Sequence, residues 1–75
     1  MRYAIVIEKA TKNYSAYAPD VPGCVATGRT VARTLQAMRE ALEFHFEGMV
    51  EDGSAIPDPV TVVDSVEFRF PLRVD

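Results

Sequence analysis

The segment Tyr14 to Gly28, YSAYAPDVPGCVATG, constrains the fold of this chain more than any other, because it writes two short strands around a Pro-Gly turn and then delivers the chain to a long helix. Tyr14, Ala16 and Ala18 alternate with Ser15 and Tyr17, the period of a strand with two unlike faces. Asp20-Val21-Pro22-Gly23 supplies turn chemistry: Pro22 presets φ, and Gly23 tolerates the positive φ that a type II turn requires. Cys24 to Gly28 resumes a strand of small and β-branched residues, and Thr30 stands where a helix cap belongs.

The remaining segments fall into place around this one. Tyr3 to Lys9 sets Tyr3, Ile5 and Ile7 against Ala4, Val6 and Glu8, and Thr11-Lys12-Asn13 reads as a hairpin turn into Tyr14, so the first three strands form an antiparallel meander. Thr30 to Asp52 is the only helix-length segment, about 33 Å long at 1.5 Å per residue, with Gly53 past its end and Pro57 and Pro59 preventing a restart. Beyond them Val60 to Phe70 places Val66, Phe68 and Phe70 on one face and Ser65, Glu67 and Arg69 on the other, the pattern of a fourth strand. A right-handed crossover through the helix lays that strand parallel to the first, in the order 3-2-1-4. The expectation is one α+β domain over residues 1–75, with βββαβ topology and one helix across one sheet.

At 75 residues the chain lies near the lower limit for folding on a single core, so help from self-association is expected. A hydrophobic content of 48% belongs to a globular protein. The longest apolar run, Ala4 to Ile7, is far too short to span a membrane or serve a signal peptide, and one cysteine makes no internal disulfide; both agree with a cytoplasmic protein. Eleven acidic against eight basic side chains give a net charge of −3, which leaves no electrostatic footprint for a phosphate backbone and weakly favours a basic partner.

The helix divides into three faces at 100° per residue. Val31, Leu35, Met38, Leu42, Phe46 and Met49 form the expected core stripe. Ala37, Ala41, Phe44 and Gly48 form a second stripe about 110° away, where Gly48 costs ~1 kcal/mol of helix propensity and Phe44 on a wet face would be an exposed aromatic. That stripe is either a self-association surface, giving a homodimer or higher homo-oligomer, or a surface over which the sheet edge or last strand curls. Glu40, Glu43, Glu47 and Glu51 make the third face, an acidic row whose like-charge neighbours cost a few tenths of a kcal/mol per pair.

Catalytic sets are sparse. Cys24 and His45 are single residues of their kinds; Cys24 reads as a small buried filler and His45 as a half-buried structural histidine, and together they leave a metal site short of ligands. No Gly-rich phosphate loop or Ser-His-Asp set is present, and neither a metal nor a cofactor is expected.

The residues Tyr14, Pro19, Asp20, Pro22, Gly23 and Cys24, followed by a helix and then Asp52-Gly53-x-x-Ile56-Pro57-x-Pro59, resemble the HicB-like antitoxin family over roughly Met1 to Pro59. The chain departs from that family at Arg33, where members often carry an acid that closes a capping box. It also stops at Asp75 where many relatives continue into a C-terminal DNA-binding domain, so autorepression by this chain alone is not expected. The resemblance implies a partial ribonuclease-H-like fold and a non-enzymatic antitoxin that binds and neutralises a small basic HicA-like toxin that cleaves messenger RNA. It casts Glu40, Glu43, Glu47 and Glu51 as candidate toxin contacts. The alternatives are an orphan homo-oligomeric module of the same fold, and a two-metal ribonuclease-H-like nuclease using Glu8, Asp20 and Asp64, whose positions solvent and turn roles already explain.

Overall fold

Three short strands and one helix make up the regular structure of the computed structural model, which describes residues 1–71. They are β1 (Val6–Lys9), β2 (Tyr14–Tyr17), β3 (Val25–Gly28) and α1 (Val31–Asp52). The sheet is an antiparallel meander in the order β1-β2-β3, with Val6 opposite Tyr17 in one ladder and Tyr17 opposite Val25 in the other. The β1–β2 hairpin closes where the Ala10 amide donates to the Asn13 carbonyl at 2.7 Å. Between β2 and β3 the Cys24 amide donates to the Val21 carbonyl at 3.2 Å, and Gly23 sits at φ 85°, so Val21-Pro22-Gly23-Cys24 has the features of a type II turn.

Both ends of α1 are closed by local chemistry. Thr30 is extended, and its hydroxyl accepts the Arg33 amide at 3.0 Å. At the other end Gly53 adopts φ 73°, its amide donates to Val50, and the Ser54 amide donates to Met49, which is the Schellman arrangement. The Thr34 side chain, fully buried, donates to the Thr30 carbonyl at 2.7 Å and is thereby satisfied inside the fold.

The core is small. Ala16, Ala18, Val21, Cys24 and Met38 are its buried apolar side chains among the described residues, with Tyr3, Ile5, Ile7, Ala26, Ala41, Leu42 and Phe46 packed around them. The helix lies chiefly over β3 and β2, because a short connection from β3 sets it down beside that strand. Its buried centre is therefore the line through Thr34 and Met38, flanked by half-buried Ala41 and His45, and the expected core stripe is turned to the side: Val31 and Leu35 are each 45% exposed.

The expected fourth strand is not formed. Residues 60–71 carry no strand pairing and are exposed throughout, so the sheet has three strands rather than the order 3-2-1-4. The segment after α1 is held at the end of the sheet where β1 begins and β2 ends. There the Tyr3 hydroxyl donates to the Pro57 carbonyl, and the Asp20 carboxylate accepts both the Thr61 amide (2.9 Å) and the Thr61 hydroxyl (2.7 Å). From this anchor the chain runs outward, and its alternating residues meet no ladder.

Candidate partner-binding surfaces

Glu40, Glu43, Glu47 and Glu51 are all exposed on α1, with Glu43 at the margin of the helix's contact with the sheet. Gln36 steadies the first of them by donating its side-chain amide to Glu40 at 3.1 Å. The end of the row runs against the helix's own electrostatics: the first turn holds no acid and the last turn no base, while Glu51 and Asp52 stand at the negative C-terminal end. Acids there are disfavoured by about 0.3–1 kcal/mol each at the surface. Neither packing nor helix formation asks for them.

The Ala37, Ala41, Phe44 and Gly48 stripe is divided. Ala37, Ala41 and Gly48 are half-buried, with Ala41 against the core, whereas Phe44 stands 79% exposed. A Cβ added at Gly48 would meet nothing, so open space lies beside that position.

The turn residues separate by role. Ala18, Val21 and Cys24 face inward, Tyr14 is half-buried beneath the Lys9 ammonium 5.1 Å from its ring centre, and Pro19, Pro22 and Gly23 are exposed. Hydrogen bonds from the Thr61 amide and then its hydroxyl hold the Asp20 carboxyl below the usual carboxylate range. Burial pushes the Cys24 thiol up, away from the thiolate that a nucleophile needs. Glu8 is exposed on β1, and Asp64 accepts the amide of its own neighbour Ser65 at 2.7 Å. Among the described residues no three His, Cys, Asp or Glu side chains gather as a metal set, and no helix is long and apolar enough to cross a membrane.

Sequence reasoning did not foresee an open groove of about 630 Å³ between β1's side of the sheet and α1. Tyr3, Ile5, Leu35, Met38, Leu42 and Phe46 line it, and the Tyr3 and Phe46 rings meet edge to face at 5.3 Å. Arg2, Arg39 and Glu43 stand among its lining residues. The signal was in the sequence, in an apolar helix arc wider than three strands cover.

Comparisons with known proteins agree on one family. A family model described as the HicB-like antitoxin of bacterial toxin–antitoxin systems matches residues 3–69. The chain is similar to a 14.9 kDa protein from the rep–hol intergenic region of Haemophilus phage HP1, at 44% identity over 76% of this chain and 43% of that protein. It therefore spans under half the length of that relative. A UPF0150 protein of Archaeoglobus fulgidus is 36% identical over 75% of this chain and 86% of its own length, and one of Helicobacter pylori is 30% identical over 87% and 92%. Among solved structures, a chain of a HicA3 and HicB3 toxin–antitoxin complex superposes with a TM-score of 0.70 at 32% identity, covering 80% of this chain and 70% of that one.

Proposed function

The chain belongs to the HicB-like antitoxin family, and from that premise we propose that it is a non-enzymatic cytoplasmic antitoxin that binds and neutralises a small, basic, HicA-like toxin that cleaves messenger RNA. The observation that carries this reading is the exposed acidic row along α1, whose last member Glu51 stands in the final turn where acids are unfavourable, in a family one of whose members is seen together with a HicA toxin. A groove that binds RNA must be positive, and Glu40, Glu43, Glu47 and Glu51 offer it competing negative charge. Two terms support this face over a catalytic role: the buried, raised Cys24 thiol, and the Asp20 oxygens already engaged by Thr61.

The test is the association rate with a purified HicA-like toxin, at two ionic strengths, for wild type and for Glu43→Lys with Glu47→Lys. Reversing two charges should slow association and flatten its salt dependence. Folding should survive, because removing like-charge neighbours from an exposed helix face is neutral or slightly stabilising. Unchanged rates would make the row a solvated face and refute this account of the contact.

A further inference from the structure

We propose that residues 62–70 are the fourth strand of a second copy's sheet: the arm of one chain pairs with the open edge of its partner's β1, and Val66, Phe68 and Phe70 fill the partner's groove between β1 and α1, reciprocally. This goes beyond the antitoxin reading and does not depend on it.

Four independent observations meet here. First, the arm has a strand's alternation and no partner: Val66, Phe68 and Phe70 are 79%, 74% and 68% exposed, far more aromatic and aliphatic surface than a solitary tail retains without cause. Second, β1 is an edge strand whose outer side pairs with no other strand among the described residues, an unprotected template for another chain's backbone. Third, the apolar groove lies on that same β1 side, because α1 is set down over β3 and β2 and leaves Leu35, Leu42 and Phe46 beside Tyr3 and Ile5 without a covering strand. Fourth, Tyr3 and Asp20 tether the root of the arm at Pro57 and Thr61, at the end of the sheet where β1 begins, and beyond that root residues 62–70 are exposed and unpaired with their own sheet.

The dimensions suit an exchange. The Cα trace measures 63 × 28 × 17 Å, a long axis about twice the ~33 Å length of the helix. Nine extended residues reach about 30 Å, well beyond the body they start from. Large aromatic side chains bury about 150–250 Å² each, so the three apolar residues of each arm, with the groove they cover, come to about 1,500 Å² over two reciprocal contacts, the size of a standard specific interface. A core with so few fully buried side chains gains most from such completion.

The test uses the full chain alone, so its outcome is independent of whether a toxin binds. By sedimentation at micromolar concentration the wild type should show at least twice the 8.3 kDa chain mass. Phe68→Glu with Phe70→Glu should halve that mass while leaving the helical circular dichroism intact, since neither side chain packs on its own body. Leu35→Arg, in the groove, should do the same. Mixing the arm variant with the groove variant should restore a dimer, because one intact arm then meets one intact groove. Phe44→Glu should leave association unchanged. A monomeric wild type, with the arm docked on its own β1 or free, overturns the proposal. So does an arm variant that sediments like wild type, or association lost with Phe44→Glu and kept with the arm variant, which would place the interface on the helix stripe.

Discussion

Gly28→Ala isolates the contact that sets how closely the helix approaches the sheet. A Cβ built at Gly28 would lie 2.7 Å from the Thr34 amide nitrogen, 2.7 Å from its hydroxyl and 2.9 Å from its Cα. None of these atoms gives way cheaply: the amide and hydroxyl are both bonded to the Thr30 carbonyl, at 2.9 and 2.7 Å, and Thr34 is fully buried. Relief requires the first turn of α1 to lift from β3, and overpacking of this kind costs about 1–3 kcal/mol. Against this, alanine lowers the entropy of the unfolded chain and returns about 0.4–1 kcal/mol, because the Gly28 backbone is not in the left-handed region. The net expectation is a loss of up to about 2.6 kcal/mol, centred on ~1.3 kcal/mol, which is about 5–10 °C in Tm for a domain of this size. Gly48→Ala is the control: its Cβ meets nothing, and removing a helical glycine should add about 0.5–1 kcal/mol. Thermal and urea unfolding followed by circular dichroism, all variants at one protein concentration, reads both changes. If Gly28→Ala is neutral or gains as Gly48→Ala does, the close approach does not govern the packing.

Two further expectations rest on the surface chemistry. The Asp20 pKa is lowered in the folded chain, so its hold on Thr61 is fully present above the ordinary aspartate range and is lost as pH falls through the lower folded value; an acid titration of the Thr61 amide resonance should report that step, and its persistence in Asp20→Ala would assign it elsewhere. The purified chain should bind duplex DNA or RNA no more tightly than ~10 μM at physiological salt, since its net charge is −3, and a salt-sensitive gel shift at nanomolar protein would contradict this.

What the sequence discloses and what it withholds divide along the distance between partners. The type II turn at Pro22-Gly23, the Thr30 cap and the Gly53 stop are legible because each is decided within a few residues, and Ala16 and Ala18 face inward as their alternation requires. The contacts that direct the arm are not legible: Tyr3 reaches Pro57 across 54 positions and Asp20 reaches Thr61 across 41, and no local pattern pairs them. Helical periodicity finds the apolar arc of α1 but not which part a three-stranded sheet covers, so Val31 and Leu35, read as core, lie at its margin. The clearance at Gly28 is likewise a tertiary fact, invisible until Thr34 is placed above it.

The centre of this molecule sets one long side chain, Met38, among small ones, Ala16, Ala18, Val21 and Cys24, while the bulky Leu35, Leu42 and Phe46 stand toward the rim. Such an arrangement separates tolerance from constraint. A substitution at the centre has no slack to absorb it and is felt throughout the body. One on the acidic row falls on exposed surface and leaves that centre as it is.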